Sequence, residues 1–180
     1  MFDTSLSFIK IIKRNLFPFY KNKDVQFVFN KLQEGFSNDT ITARFVGGCV
    51  RKYLSNEEID DIDIATILTS NDIKEKFKNT KFKVVDTGIK HGTITLVSEK
   101  LKLELTTLRK DLETDGRHAE VQYINNWQLD SERRDFTINA IYLDINGKIF
   151  DPQSGKTDLK NKNVKFIGDP QKRIEEDYLR

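Results

Sequence analysis

The stretch GGCVRKYLSNEEIDDIDIAT, residues 47–66, places a glycine pair and an arginine shortly before two aspartates. The segment before it, TITARFV (40–46), alternates and is rich in β-branched residues, which predicts a strand that ends at the glycines. CVRKYL then predicts a helix that opens directly after the glycines, and IDIATIL (62–68) predicts a second strand. The prediction of the fold rests on this order of strand, glycine turn, helix and strand.

The glycine pair, Gly47 and Gly48, has two interpretations. Glycine at a strand-to-helix turn lets the backbone approach a ligand closely, the N–H groups at a helix start favour an anion, and Arg51 adds a charge-assisted donor for phosphate. The pair is not a Walker loop and it lacks G-x-G-x-x-G. A tight turn without a ligand is the alternative.

The two aspartates, Asp61 and Asp63, share one face if they lie on a strand, while Ile62 and Ile64 point to the other face. Neighbouring carboxylates repel each other unless a cation lies between them, and hard oxygen ligands suit Mg²⁺ or Mn²⁺ that bridges substrate phosphates. A calcium loop fails on spacing, because Thr66 stands where glycine is required. Exposed charge without a metal is the alternative for an isolated Asp-x-Asp.

A third carboxylate is predicted from KLKLELTTLR, residues 100–109. Leucines alternate there with Glu104 and Thr106, so a neighbouring strand would present Glu104 beside the aspartate pair. A solvated charge on an edge strand is the alternative for Glu104.

Two adjacent arginines occur in RRDFTINAI, residues 133–141. Adjacent guanidinium groups are costly unless anions are near, so Arg133 and Arg134 are candidates for contacts to a triphosphate or a ribose. A surface ion pair with Asp135 is the alternative.

Asp177 and Arg180 lie three residues apart on one face of a predicted helix. A carboxylate and a guanidinium suit the exocyclic amine and the unprotonated ring nitrogen that adenine and cytosine share. Guanine and uracil reverse this order and would leave both protein groups unpaired, which is heavily penalised. An ordinary intrahelical ion pair is the alternative.

The composition describes a globular protein of 180 residues with a net charge of +2, of which 32% are charged and 13 are Phe. Cys49 is the only cysteine, which excludes disulfides and cysteine zinc sites and fits a reducing compartment. No apolar run reaches membrane-spanning length, so we expect no membrane partner. We expect a cytoplasmic protein, and the basic, amphipathic SFIKIIKRNLFPFYK leaves the mitochondrial matrix as the alternative.

The pattern of helices and strands predicts an α+β fold with a mixed or mostly antiparallel sheet. Helices are expected over 4–16 and 23–34, and further strands over 82–86, 92–98 and 101–107. The Asn146-Gly147 turn predicts a hairpin over 140–152. The polar segment 111–132 is expected to be a mobile loop. DPQKRIEEDYLR (169–180) begins a helix with Asp169 and Pro170 and contains no stop signal, which indicates a fragment of a longer chain.

With these residues identified, the chain resembles the family of class II tRNA nucleotidyltransferases (CCA-adding enzymes) and bacterial poly(A) polymerases. The resemblance runs from about Ala43 to Arg180 and rests on motifs in family order: ARFVGGCVR, DIDIAT, GIKHGT, ELTTLR, DGRHAEV, RRDFTINAI, DLKNKNVKFIGDP and RIEEDYLR. It implies a polymerase-β-like nucleotidyltransferase head followed by the start of a helical neck. We therefore expect an N-terminal helical arm (1–35), the head (36–155) and a truncated neck (156–180).

The resemblance also implies a role for each candidate residue. Asp61 and Asp63 would hold two Mg²⁺ ions as catalytic ligands, with Glu104 beside them, and the nucleotide contacts would come from Gly47, Gly48, Arg51, Arg134, Asp135, Asp177 and Arg180. Gly48 and Arg51 would bind the triphosphate, Asp135 the ribose, and Asp177 with Arg180 the C or A base. The loop 111–132 would match a flexible loop proposed to help the switch from C to A.

The expected substrates are the tRNA 3′ end, CTP and ATP, with pyrophosphate release. Addition of A alone, of CC alone or of a poly(A) tail stays open, as does a non-catalytic remnant that binds nucleotide or RNA. Lys52 departs from the family, which usually has aspartate after GGxVR. The sequence identifies no protein partner.

Overall fold

The computed structural model describes residues 18–88, 92–114 and 119–176. The helix expected over 4–16 and the predicted base-reading pair Asp177 and Arg180 lie outside these ranges. No helix within the described ranges is both long and apolar enough to cross a membrane.

Within these ranges the chain alternates between short helices and strands. The helices are α1 Lys23–Gln33, α2 Gly48–Leu54, α3 Ser70–Phe77, α4 Trp127–Glu132, α5 Gly155–Lys160 and α6 Pro170–Glu176, with 3₁₀ helices at Phe19–Lys21 and Thr137–Asn139. The strands are β1 Ala43–Phe45, β2 Ile62–Thr66, β3 Lys83–Gly88, β4 Thr93–Val97, β5 Lys102–Thr107, β6 Arg109–Thr114, β7 Ala119–Tyr123, β8 Tyr142–Leu143 and β9 Ile149–Phe150.

The main sheet has seven strands in the order β3-β4-β5-β2-β1-β8-β9. The central pair, β2 and β5, is parallel, and the other neighbouring strands are antiparallel. A parallel pair needs a long crossover connection, and here α3, β3 and β4 lie between β2 and β5 in the chain. The mixed sheet with flanking helices confirms the predicted α+β class.

The two faces of the main sheet differ in polarity. Ile62 and Ile64 of β2 are buried, and they share the large apolar core with Leu103 and Leu105 of β5. Asp63 lies between the two isoleucines and therefore points to the opposite face. The alternation predicted for both strands thus places the carboxylates away from the core.

Helix α1 has a side-chain cap at its start and packs one apolar face into the core. The Asn22 side chain accepts hydrogen bonds from the backbone N–H groups of Asp24 and Val25, at 2.8 and 3.4 Å, which caps the helix start. Val28 and Leu32, spaced by one turn, are fully buried, and burying an aliphatic side chain of this size contributes about 1.5–3 kcal/mol. The helix ends before Gly35, whose φ is +85°, close to the predicted end of 23–34.

Helix α3 is capped at its start by Thr69. The Thr69 hydroxyl accepts from the Asp72 backbone N–H, and the Asp72 carboxylate accepts from the Thr69 backbone N–H at 2.9 Å. This reciprocal pair is a capping box that satisfies two backbone donors at the helix start.

The prediction of a mobile loop over 111–132 is wrong for the described residues of this segment, and residues 115–118 lie outside them. Strands β6 and β7 form a two-stranded antiparallel hairpin in which Lys110 pairs with Gln122 and Asp111 with Val121. The second half of the segment forms α4, and the Asn126 side chain caps it by accepting from the Leu129 backbone N–H at 3.1 Å. The polar composition hid the hairpin, because its strands lie outside the main sheet and lack the apolar alternation of a half-buried strand.

The region after β9 packs against the 3₁₀ helix at Thr137–Asn139. The Thr137 hydroxyl donates to Asp158 Oδ2 at 2.7 Å, and the Thr137 backbone N–H donates to the Lys165 carbonyl at 3.0 Å. A Cβ on Gly155 would lie only 2.0 Å from the Thr137 carbonyl oxygen, so this contact requires glycine. The division into arm, head and neck stays a prediction.

Candidate active site

The turn between β1 and α2 is built on Gly47, whose φ is 74° and ψ is −140°. Side chains rarely adopt this conformation, which is nearly exclusive to glycine. A Cβ at Gly47 would also lie 3.4 Å from Oδ2 of Asp63. The glycine turn and the aspartate segment, separate in the sequence, therefore lie against each other. Gly48 then opens α2 with open space around it, since a Cβ added there would meet nothing within 4 Å.

The carboxylates meet at the parallel strand pair. Asp63 of β2 is the register partner of Glu104 of β5, so their side chains share the polar face. Asp61, just before β2, is exposed, while Asp63 and Glu104 are half-buried. Burial raises the pKa of Asp63, the charges of Glu104 and Asp61 raise it further, and Arg134 opposes the shift. A cation bound at this position would lower the free-energy cost of ionising the Asp63 carboxyl.

The side chains fit a divalent metal of a particular kind. In the described part of the chain, no three or more His, Cys, Asp or Glu side chains are gathered as a complete ligand set. Mg²⁺ differs from calcium and zinc in this respect, because it commonly takes one or two protein carboxylates and completes its shell with water and substrate phosphates. Asp61 and Asp63 supply ligands of this type, and the Glu104 carboxylate is held by Lys102 Nζ at 2.6 Å.

Arg51 and Asp135 are linked through a residue that the sequence did not single out. Nη1 of Arg51 donates to the side-chain oxygen of Asn139, and Asn139 Nδ2 donates to Asp135 Oδ1 at 3.1 Å. The Asp135 carboxylate also accepts from the Phe136 backbone N–H at 2.7 Å. Asn139 thus fixes the position of Arg51, the predicted triphosphate contact, relative to Asp135, the predicted ribose contact.

The arginine pair has a different partner from the one considered in the sequence. Both arginines bind the buried carboxylate of Asp130, Arg133 Nε at 2.8 Å from Oδ1 and Arg134 Nη2 at 3.0 Å from Oδ2. The surface ion pair with Asp135 is therefore wrong as an explanation of these arginines. Burial would raise the pKa of Asp130, but Arg134, Arg133 and a hydrogen bond from Tyr142 outweigh it and hold the pKa below its ordinary value.

A cleft of about 290 Å³ joins the two groups. The side chains that the chemistry can use along its walls are Asp63, Thr93, Thr106, Arg109, Arg133 and Arg134. One acidic position therefore faces a concentration of positive charge across a small cavity, which suits a ligand that carries both a metal and several phosphates. Arg51 and Asp135 do not line this cleft.

Lys52, the departure from the family pattern, forms an ion pair with Asp60. The Asp60 carboxylate also accepts the backbone N–H of Asp61 at 3.2 Å. Lys52 thus connects α2 to the segment that leads into the aspartates, on the exposed side of the site.

Three residues that bind candidate site residues were not singled out in the sequence: Asp130, Asn139 and Tyr142. Asn139 lies inside RRDFTINAI, the motif that also contains the arginines, so the motif itself was the available signal. Asp130 lies on α4, a helix that was not predicted, and Arg133 and Arg134 follow directly after that helix ends at Glu132.

Comparisons with known proteins show the family to which the chain is similar. Residues 43–165 match the family model described as the poly A polymerase head domain. The chain is 42% identical over 182 residues to the mouse (Mus musculus) protein named CCA tRNA nucleotidyltransferase 1, mitochondrial, covering 98% of this chain and 42% of that protein.

Solved structures of proteins with related names also match this chain. The crystal structure of the Bacillus stearothermophilus CCA-adding enzyme in complex with CTP matches with a TM-score of 0.71 and 35% identity, covering 84% of this chain and 35% of that one. A tRNA nucleotidyltransferase complexed with a primer tRNA and an incoming ATP analog matches with a TM-score of 0.57 and 31% identity, covering 71% and 36%. The chain spans less than half the length of these relatives.

Proposed function

Since the chain belongs to the poly A polymerase head domain family, we propose that it is the nucleotide-transferring head of an enzyme that adds C and A residues to tRNA 3′ ends. The observation that carries the proposal is the cleft in which Asp63, with Glu104 beside it, faces Arg134 and its neighbours. Nucleotide transfer needs these two halves together, carboxylates at the reacting phosphate and cations around the triphosphate.

The reaction is an in-line attack of the RNA 3′-hydroxyl oxygen on the α-phosphorus of CTP or ATP. A new P–O bond to the RNA forms, the bond between the α-phosphorus and the bridging oxygen to the β-phosphate breaks, pyrophosphate leaves, and the hydroxyl proton passes to water. Bound Mg²⁺, or Mn²⁺, would supply charge neutralisation at the phosphates. Asp61 and Asp63 are the residues proposed to hold it.

The other roles follow from position. Gly47 brings the backbone close to Asp63 without a side chain between them, and Gly48 with Arg51 is proposed to bind the triphosphate. Arg134 lines the cleft and is proposed to contact the nucleotide. Asp135, ordered by Asn139, is proposed to contact the ribose.

The base preference is proposed to rest on Asp177 and Arg180, which lie beyond the described residues. A carboxylate and a guanidinium at helical spacing match the donor and acceptor order shared by cytosine and adenine. An enzyme that reads bases in this way needs no nucleic-acid template. The names of the relatives favour CCA addition over the poly(A), A-only and CC-only alternatives.

The proposed location is the mitochondrial matrix or the cytoplasm. The mouse relative carries "mitochondrial" in its name, and the N-terminal segment is basic and amphipathic, which supports the matrix. Fluorescence microscopy of the tagged protein, with and without residues 1–17, separates the two.

The proposal is tested by nucleotide incorporation. The protein as its gene encodes it is incubated with CTP, ATP, Mg²⁺ and a tRNA that lacks its terminal CCA, and we expect the tRNA to lengthen. The variant with both Asp61→Ala and Asp63→Ala is expected to lose extension. Failure of the unaltered protein to extend tRNA while it still binds CTP would instead favour a non-catalytic nucleotide-binding remnant.

A further inference from the structure

We propose that Asp130 is a positioning residue that fixes Arg133 and Arg134 at the cleft and thereby sets its affinity for a triphosphate. This inference rests on the proposed function, because it assigns the geometry of the proposed nucleotide site to a residue that cannot touch the nucleotide. The Asp130 side chain is fully buried beneath the arginines.

The Asp130 carboxylate is saturated with donors from separate parts of the fold. Oδ1 accepts from Arg133 Nε at 2.8 Å and from the Arg109 backbone N–H at 3.3 Å. Oδ2 accepts from Arg134 Nη2 at 3.0 Å and from the Tyr142 hydroxyl at 2.7 Å. One carboxylate thus connects α4 with β6 and β8, and both arginines depend on it.

Arg134 is held on two sides. Its Nε donates to the Tyr142 hydroxyl at 3.1 Å while its Nη2 donates to Asp130, and its guanidinium carbon lies 5.3 Å from the centre of the Tyr142 ring. In the described part of the chain Nη1 is left without a hydrogen-bond partner, and Arg134 lines the cleft. The arrangement therefore fixes the guanidinium plane and leaves one nitrogen to donate to a ligand, which lowers the ordering cost of binding.

The charges of the group favour an anion. Arg133 and Arg134 share the single negative charge of Asp130, so one positive charge is left over at a cavity that Arg109 also lines. Guanidinium groups bind phosphate oxygens well because the guanidinium N–H donors form a rigid fork. The ligand class that fits is a nucleoside triphosphate bound through its phosphates.

Asp130→Asn distinguishes a positioning role of Asp130 from a simple effect of its charge, because the two predict opposite changes in the affinity for triphosphate. The substitution removes a negative charge beside the cleft, so charge alone would strengthen the binding of a triphosphate. Positioning predicts the reverse, since an amide cannot accept from all of these donors and also neutralise the arginines, which would then move. Misplacement of contact groups by about 1 Å is enough for a roughly hundredfold loss of activity.

The experiment measures two quantities on the full protein. Calorimetry with inorganic triphosphate reports binding at the arginine pair without any transfer step. Steady-state incorporation of CTP into a tRNA that lacks CCA gives kcat and KM. We expect Asp130→Asn to weaken triphosphate binding at least tenfold and to lower kcat/KM by roughly a hundredfold, with part of the loss in KM. Asp72→Asn, which alters the cap of α3 at a residue that does not line the cleft, is expected to change neither quantity.

Circular dichroism checks that Asp130→Asn is folded, and a second variant tests the inference if it is not. Tyr142→Phe keeps the ring and all charges but removes the hydroxyl that bonds both Asp130 and Arg134, so we expect about a tenfold loss in kcat/KM. Unchanged or tighter triphosphate binding in folded Asp130→Asn, or in Tyr142→Phe if the first variant is unfolded, overturns the inference. Loss of triphosphate binding in a protein that never extends tRNA would retain the inference and refute the proposed function.

Discussion

Asp63 and Glu104 are direct register partners on the parallel strands β2 and β5, so two carboxylates lie side by side on the polar face of the sheet. The arrangement is costly without a cation, since burial and then Glu104 raise the pKa of Asp63. Asp63 also lies against the Gly47 turn and lines the cleft that the arginines share.

The first prediction concerns Asp63→Asn in the absence of metal. A folded-state pKa above the unfolded value means that ionised Asp63 destabilises the fold at pH 7, so the variant is expected to be more stable than the unaltered chain in chelator. This advantage should vanish below the ordinary aspartate pKa of 3.8. Urea unfolding at several pH values measures it.

Added metal should reverse that order. At a Mg²⁺ concentration about 100 times its Kd, binding stabilises the unaltered chain by about 2.7 kcal/mol, whereas Asp63→Asn is expected to gain little. Equal stabilisation of both proteins by Mg²⁺ would contradict the assignment of Asp63 as a metal ligand.

The second prediction concerns the glycine turn. Gly47→Ala forces a side chain into a glycine conformation and towards Asp63, and strain of this kind costs about 1–3 kcal/mol. Gly48 has open space around it and begins a helix, so Gly48→Ala is the matched control and should be neutral or stabilising by up to about 1 kcal/mol. Urea unfolding of both variants compares them, and equal losses would argue against the turn described here.

The third prediction concerns the stability that Asp130 provides. Removal of one partner from a buried ion pair leaves uncompensated charge and costs about 3–5 kcal/mol, so Asp130→Asn should lower the free energy of unfolding by about this amount at pH 7. The pKa of Asp130 is lowered, so its contribution is present above 3.8 and is lost as the pH falls below that value. The two unfolding curves are therefore expected to converge in acid, and a constant gap down to low pH would be inconsistent with ionised Asp130.

The fourth prediction concerns Lys52, which stands where the resemblance leads one to expect aspartate. Its ion pair with Asp60 is exposed to solvent, and exposed pairs contribute little. Lys52→Ala should therefore leave the unfolding midpoint almost unchanged, and the double exchange Lys52→Asp with Asp60→Lys should restore any change in kcat that the single exchange Lys52→Asp causes. A large loss of stability in Lys52→Ala would show that the ion pair contributes more to folding than exposed pairs usually do.

Local signals predicted much of the fold. The β1–glycine–α2–β2 order followed from alternation and from glycine placement, and the hairpin of β8 and β9 followed from its Asn146-Gly147 turn. The hairpin of β6 and β7 was missed because its strands carry polar residues and no buried face signals them. Long-range pairing also placed Glu104 beside Asp63, which the sequence offered only as one of two interpretations.

The support beneath the site was the hardest part to predict. Asp130 acts through burial and through donors from α4, β6 and β8, and nothing in its own neighbourhood of sequence marks it as buried. The sequence offered the adjacent Asp135 only as an alternative partner of the arginines, whereas both arginines bind the buried carboxylate of Asp130. Sequence proximity is a poor guide to ion pairing when the competing residue is desolvated.

We propose that this head serves an enzyme that completes tRNA 3′ ends, and the sequence of the nucleotides that the enzyme adds tests this proposal most directly. A tRNA ending before its CCA is incubated with the full protein, CTP, ATP and Mg²⁺, and the products are sequenced. We expect C, C and A in that order, followed by termination, with no addition by the variant carrying Asp61→Ala and Asp63→Ala. A run of A residues, or no addition by the unaltered protein, would contradict it.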